Sequence, residues 1–374
     1  MIYLDSAATT FQKPRAVREA VLYAMEHMSS PGRGGYGAAR AAAETVYACR
    51  RAVAELFRVK NEENVVFTQN ATHGLNIAIR SLVGGGDEVV VSGYEHNAVL
   101  RPLRAIPRAR IRVARAPLFS PEATLEAFRS ALGEETKAVV CTHVSNVFGD
   151  VLPLREIAAL CREKRIPLIV DASQSAGIVP LDAEALRADF IAMPGHKGLY
   201  GPQGTGLLLV GEGVAAQPLL HGGTGILSKE PLMPLALPER LEAGTQNVAG
   251  IAGLLAGVRF VTEEGERIRR HERELLTLTA EGLSAMRRIR IFYTPEPSRQ
   301  AAVLSFTVAG EESEAVAAYL AEQGVAVRAG LHCAPLAHET AGTEESGTVR
   351  LSFSRFNTRR ECVNFLKILG KKYG

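Results

Sequence analysis

From Asn64 onward, short apolar runs alternate with longer amphipathic stretches. Val65–Phe67, Glu88–Val91, Ile111–Val113, Ala138–Cys141, Pro167–Val170, Asp189–Ala192 and Gly206–Val210 are dominated by Val, Ile, Leu and Ala and read as strands. Between them, Thr72–Leu82, Ala98–Ala105, Pro121–Ala131 and a segment opened by Pro153 and running to about Lys164 read as helices. Continuously apolar strands alternating with helices predict a mostly parallel sheet of the seven-stranded type, covered on both faces, in an α/β domain. In such sheets ligands sit beyond the carboxyl ends of the strands, so polar residues just after a strand are the ones to collect.

The remainder changes character twice. Gly211–Pro238 is rich in Gly, Pro and Leu without a clear period and reads as an ordered loop region. Asn247 to about Ile289 carries long helical patterning. Beyond Arg290, Val303–Val308 reads as an alternating strand, Glu312–Gln323 as a helix, Val349–Phe353 as a strand and Thr358–Lys371 as a final helix. The expected organisation is a large α/β domain over 14–250, a connecting helical segment over 251–289 and a small C-terminal α+β domain over 290–374, which residues 1–13 join.

Composition narrows the class. The chain has 374 residues, 47% hydrophobic and 22% charged, enough to bury a sizeable core and far from disordered or disulfide-scaffold sequences. Its 43 basic and 40 acidic residues leave a net charge of 43 − 40 = +3, which gives no special attraction to nucleic acid or an anionic membrane. Cys49, Cys141, Cys161, Cys333 and Cys362 are odd in number and unpaired in spacing, so reduced thiols are expected and no metal site is. With no export signal near Met1 and no apolar run long enough to span a membrane, the expected location is cytoplasmic.

Gly32–Gly37 fits G-x-G-x-x-G, but a helix-like stretch, Pro14–Met28, precedes it where a dinucleotide fold needs a strand. It reads as an accidental match, and a nicotinamide enzyme would rest on it alone. The string Met193–Gly206 follows a buried strand and holds Lys197 between His196 and Gly198. A solvated Lys on a surface turn is the ordinary reading; a Lys amine held there can also form a Schiff base with a carbonyl cofactor. Asp171 ends an apolar strand, where it either caps the following helix or serves as the carboxylate that keeps the ring nitrogen of pyridoxal 5'-phosphate (PLP) protonated. Gln174 lies within a turn of it and could donate toward that cofactor's phenolic oxygen. Ala71, Thr72 and His73 open a helix after a strand, a setting for phosphate or for a plain N-cap at Thr72. His96 follows the strand at Glu88–Val91 and either stacks on an aromatic ring or is a satisfied loop histidine. Cys333 lies in a Gly- and Pro-flanked loop beside His332 and near Arg328, a setting that lowers a thiol pKa; His332, Cys333 and His338 lack a fourth metal ligand at a recognisable spacing. Arg350, near a strand start, suits a carboxylate clamp or a surface salt bridge. The other four cysteines read as core.

Taken in order from Tyr3–Thr10 to Arg350–Thr358, these strings resemble the class V group of fold-type I PLP enzymes, and within it the cysteine desulfurases. The resemblance implies that Lys197 carries PLP, that Asp171 pairs with the pyridine nitrogen, that Gln174 reaches the phenolic oxygen and that His96 stacks on the ring. It implies Thr72, backbone from His73, and His196 as phosphate ligands, with Thr245 reaching the phosphate of a neighbouring subunit, hence a homodimer. Asn146 and Arg350 are implied as binders of the substrate carboxylate, Arg328 as the arginine near the reactive loop and Cys333 as the persulfide-forming nucleophile. One position departs from the family: Pro194 stands where a Ser or Thr phosphate ligand is usual and has neither hydroxyl nor N–H.

The activity implied is conversion of L-cysteine to L-alanine with a persulfide on Cys333, for transfer to a sulfur-acceptor protein, as in iron–sulfur cluster assembly. The 17 positions from Cys333 to Arg350 (350 − 333) resemble the short-loop branch and also selenocysteine lyases. Selenocysteine, cysteine sulfinate, another class V aminotransferase-type reaction and a non-catalytic PLP-fold scaffold are the alternatives.

Overall fold

A computed structural model describes residues 1–32 and 34–374; Arg33, and with it the centre of the Gly32–Gly37 match, lies outside the described residues. In chain order the elements are β1 Ile2–Tyr3, α1 Arg15–His27, α2 Gly37–Phe57, β2 Val65–Thr68, α3 Ala71–Leu82, β3 Glu88–Ser92, α4 Asn97–Arg104, β4 Arg110–Ala114, α5 Pro121–Ala131, β5 Thr136–Thr142, α6 Leu154–Lys164, β6 Leu168–Asp171, α7 Ala183–Leu186, β7 Phe190–Pro194 and β8 Gly206–Val210. They continue with α8 Val248–Ser284, β9 Ile289–Phe292, β10 Val303–Val308, α9 Ser313–Glu322, β11 Val325–Ala326, β12 Arg328–Gly330, α10 Pro335–Ala341, β13 Thr348–Ser352 and α11 Arg359–Tyr373.

The central sheet has seven strands in the order β2-β8-β7-β6-β5-β3-β4. β8 runs antiparallel to both its neighbours, β7 and β2; all the other pairings are parallel. β3, β6, β7 and β8 are buried throughout, as their unbroken apolar runs require, because helices cover both faces. One core lies on each face of this sheet. Only the edge strand β4 alternates, turning Arg110 and Arg112 outward. The chain leaves β3 toward β4 on one side and passes through β5, β6 and β7 on the other. The strand ends at this reversal therefore open onto a crevice.

A second sheet, β12-β13-β10-β9, is antiparallel throughout. It has its own core with α8, α9 and α11. The strand expected to alternate, Val303–Val308, is instead buried at five of its six positions. Its second face packs toward the large sheet, where Ser305 Oγ donates to the Val147 carbonyl at 2.6 Å. The helix α8 has 37 residues, about 55 Å of length at 1.5 Å per residue. Its first half contributes Leu254 and Val258 to the large-sheet core and its second half Leu275 to Leu283 to the small-sheet core. The N-terminus ties in as well: β1 pairs in parallel with β11, and Leu4 is buried in the small-sheet core.

α8 also carries a buried acid. Glu272 is 2% exposed, and its partner is Tyr200, whose hydroxyl donates to Oε1 at 3.3 Å. Burial pushes its carboxyl up to about 8. The unfolded chain ionises this group near its ordinary value while the folded chain holds the proton, so stability contributed here falls as pH rises toward about 8. Glu272→Gln keeps the bond to Tyr200 and removes the ionisation. It is expected to flatten the loss of stability between pH 5 and pH 9, by about 1–4 kcal/mol at the alkaline end. Denaturant melts of both proteins across that range check this, and parallel pH profiles would contradict it.

Candidate active site

The residues singled out after strand ends converge beyond the carboxyl edge of the large sheet. One cavity is lined by Thr72 at the start of α3, His96 after β3, Asn146 after β5, Asp171 at the end of β6, Gln174 in the next turn, and Lys197 after β7. Thr142, Ser173, Asn70 and Pro194 also line it.

The amine and the carboxylate sit in one electrostatic field. Burial lowers the Lys197 ammonium to about 8, and Asp171 works against that shift, while Arg350 and Arg328 reinforce it. Asp171 is buried and does not cap a helix: Oδ1 accepts the Ser173 N–H at 2.8 Å within the turn. His96 is the N-cap of α4, with Nδ1 accepting the Ala98 N–H at 3.0 Å, which leaves the proton on Nε2. Burial lowers its pKa further, so the ring is neutral. Gln174 donates from Nε2 to the Ala7 carbonyl at 3.0 Å and keeps a second N–H.

At the mouth of α3 the cap is Asn70, not Thr72: Asn70 Oδ1 accepts the His73 N–H at 2.9 Å. The His73 backbone, expected to face a phosphate, is therefore already paired, and its side chain lines a neighbouring groove with Thr245. The N–H groups of Ala71 and Thr72 have no protein acceptor among the described residues, and with the Thr72 hydroxyl they remain for an anion. The close approach here depends on Gly206, where a Cβ would stand 2.7 Å from the Asn70 backbone. His196 also lines the cavity, its Nδ1 3.0 Å from Thr9 Oγ1, and burial lowers it to about 4. Its carbonyl accepts from Thr10 Oγ1 at 3.0 Å and from Lys13 Nζ at 2.9 Å. Thr245 does not line the Lys197 cavity of its own chain.

Arg350 is not a surface salt bridge. It is 1% exposed, donating from Nη2 to Asp5 Oδ1 at 2.7 Å and from Nη1 to the Asn146 carbonyl at 2.9 Å. Nε is buried without a partner among the described residues, a donor suited to a carboxylate. Glu95, next to His96, is buried between strand ends: its Oε1 accepts from Ser92 Oγ at 2.5 Å and from the Thr142 N–H at 2.7 Å. Burial pushes its carboxyl up to about 8, so the group is mostly a neutral acid beside Asp171 at neutral pH.

Cys333 is the exposed cysteine of the five; the others are buried. His332 and Cys333 have φ of 51° and 57°, and the Ala334 N–H donates to the Leu331 carbonyl at 2.9 Å. That is a type I′ turn made of two residues other than glycine, each costing about 1–2 kcal/mol in the left-handed region. The turn is docked beside the strand ends of the large sheet: the Asn97 N–H at the start of α4 donates to the Cys333 carbonyl at 2.7 Å and Asn146 Nδ2 to the His332 carbonyl at 2.9 Å. Arg328 Nη2 lies 3.5 Å from Cys333 Sγ. His332 was expected to act on the thiol with Arg328. It is 2% exposed instead, and burial drives its pKa to about 2, so it supplies no charge to the sulfur. Among the described residues, no group of three or more His, Cys, Asp or Glu is placed to hold a metal ion.

The donor set fits PLP: a lysine amine, a buried carboxylate, a neutral imidazole and a helix mouth with unpaired N–H groups, all around one cavity. The profile of the Aminotransferase class-V family matches residues 2–365. Among curated proteins, the probable cysteine desulfurase of Synechocystis sp. is 33% identical over 99% of this chain and 90% of its own length. That of Methanothermobacter thermautotrophicus is 34% identical over 99% and 93%. Among solved structures, the apo cysteine desulfurase of Thermococcus onnurineus NA1 superposes with a TM-score of 0.91 at 31% identity, covering 100% of this chain and 94% of that one. The cysteine desulfurase CsdA of Escherichia coli, in an S-sulfonic acid form, gives 0.87 at 28%, covering 99% and 94%. The chain therefore has the fold-type I architecture of PLP enzymes and belongs to the aminotransferase class-V family, where these relatives are cysteine desulfurases.

Proposed function

We propose that the chain is a PLP-dependent cysteine desulfurase that moves the sulfur of L-cysteine onto Cys333. The observation that carries this is the docking of an exposed cysteine, beside Arg328, onto the rim of the cavity that holds Lys197 and Asp171. PLP, when bound, supplies an electron sink that acidifies the substrate Cα–H and loosens the Cβ–S bond. Lys197 would hold it covalently, Asp171 would pair with its ring nitrogen, His96 would cover its face, and Gln174 would reach its phenolic oxygen. Ala71, Thr72 and His196 would hold its phosphate, which Pro194 cannot touch through an N–H or hydroxyl.

Arg350 Nε and Asn146 face the substrate carboxylate in this reading. Lys197, lowered by burial to about 8, gives up its proton more readily than an ordinary lysine and would take the Cα proton and return it. The Cys333 thiolate attacks the substrate sulfur: an S–S bond forms as Cβ–S breaks, and Cβ gains a proton. L-cysteine and the thiol thus become L-alanine and a Cys333 persulfide with no outside oxidant. A sulfur-acceptor protein then takes the persulfide sulfur.

The reading includes a homodimer in which Thr245 completes the partner subunit's phosphate site. Supporting it are the separation of Thr245 from its own Lys197 and the exposed leucines of the preceding loop, Leu232 and Leu235, at 82% and 85%. It also divides the chain at 14–250, 251–289 and 290–374, supported by the separate sheets and cores. A cytoplasmic setting suits five free cysteines, and no described helix is long and apolar enough to cross a membrane. A turnover screen with cysteine, selenocysteine and cysteine sulfinate tests the reading. Alanine and sulfide from cysteine, with reductant present, are expected; turnover of selenocysteine or sulfinate alone would replace it with the corresponding lyase.

A further inference from the structure

Behind the reactive turn, two buried histidines join its backbone to the end of α10. His332 Nε2 lies 3.3 Å from the Arg328 carbonyl, and His332 Nδ1 lies 3.5 Å from His338 Nε2. His338 Nδ1 lies 2.8 Å from Thr343 Oγ1. A carbonyl only accepts, so the hydrogen-bond network assigns the His332 proton to Nε2. Its Nδ1 must then accept from His338 Nε2–H, and His338 Nδ1 must accept the Thr343 hydroxyl. One direction runs through the whole chain: Thr343 to His338, His338 to His332, His332 to the Arg328 carbonyl.

The chain works only with His332 neutral, because a second proton on that ring would set two N–H groups against each other. Burial keeps both far below their ordinary values, His338 at about 4. The two ring planes lie 10° from parallel with centroids 5.7 Å apart, and the Phe148 ring packs against His338 with centroids 5.9 Å apart. The two ends of this chain bracket the nucleophile. Arg328, whose carbonyl receives the last bond, is the residue whose guanidinium lies beside Cys333 Sγ. The left-handed pair His332–Cys333, which no glycine relieves, lies between them.

We infer that His338 is a positioning residue for Cys333: through His332 it holds the strained turn so that the sulfur stays against the Arg328 guanidinium. His338 touches neither the thiol nor the substrate. The inference rests on the desulfurase reading only in its kinetic arm, because thiol reactivity can be measured whatever the reaction is.

Cys333 is the exposed thiol, so alkylation of the folded holoenzyme by iodoacetamide reads it and spares the four buried ones. In His338→Leu the rate of alkylation at pH 7 is expected to fall at least threefold. The kcat for cysteine should fall at least tenfold with KM, cofactor absorbance and Cα proton exchange near wild type. His338→Gln, which can still donate and accept, should recover to within threefold. Thr343→Val, a milder cut at the other end, should slow alkylation as well. In an Arg328→Gln background, His338→Leu should slow alkylation no further, since the charge it positions is gone. An alkylation rate unchanged in both His338→Leu and Thr343→Val would overturn the inference, as would full additivity with Arg328→Gln. Slowed alkylation in the variants with no cysteine turnover even in the wild type would overturn the desulfurase reading and leave the positioning intact.

Discussion

Cys333→Ala is expected to keep its bound PLP and lose cysteine desulfuration by at least about 10³-fold, the scale on which removal of a covalent nucleophile acts. The expectation follows from where the two halves of the chemistry sit. Lys197, Asp171 and His96 follow strands of the large sheet, whereas Cys333 arrives on a turn of the small one and meets them only at the rim. Removing its sulfur takes nothing from the cavity wall. Exchange of the substrate Cα proton with solvent should therefore continue, because Lys197 still takes and returns that proton. Arg328, the neighbouring cation, cannot replace a nucleophile. Selenocysteine turnover should suffer less, since selenium leaves carbon more readily. Loss of cofactor together with activity would place Cys333 in the cavity itself, and a fall under tenfold would mean that sulfur leaves without this thiol.

Lys197→Ala is expected to abolish turnover and Cα proton exchange together, by more than about 10⁴-fold, because one amine both anchors the cofactor and moves the proton. The side chain lies among Asp171, Arg350 and Arg328, whose charges act on it along with burial. No other lysine lines the cavity. Borohydride treatment of the wild-type holoenzyme followed by peptide mapping should place the cofactor on Lys197. A label on Lys13, whose Nζ donates to the His196 carbonyl, would move the assignment to that half-buried amine.

Most strands of the large sheet were legible because they are largely apolar runs, a pattern that burial on both faces imposes, with the edge strand β4 the alternating exception. Their direction was not: β8 reads like its neighbours in composition yet runs against them, since hydrophobic pattern carries no polarity. α2 escaped notice because its buried stripe of Ala39, Ala42, Val46 and Cys49 is built from small residues that give a weak period. β9 and β12 are short and partly exposed, and α10 begins at a proline after a strained turn.

In the site, Lys197, Asp171 and His96 could be collected because each ends or follows a recognisable strand, whereas Asn146 came from the family resemblance alone. Their supports could not. Thr9 meets His196 across 187 positions and Asp5 meets Arg350 across 345. The cap at α3 fell to Asn70 rather than Thr72, because an Asx side chain two positions earlier reaches the same N–H that a phosphate was expected to use. Nothing in the sequence sets Glu95 apart, because it is burial between Ser92 and Thr142 that makes it a neutral acid. His332 carried a sensible expectation that burial reversed: adjacent in sequence to the thiol, it faces the opposite way, toward His338.

The most direct measurement of the central claim is intact-protein and peptide mass spectrometry of the wild-type holoenzyme after one exposure to L-cysteine without reductant, with alanine quantified in parallel. One sulfur atom added on Cys333, none on Cys49, Cys141, Cys161 or Cys362, and one alanine released per sulfur held are the expected result. Alanine formed with no sulfur retained on Cys333 would contradict the account.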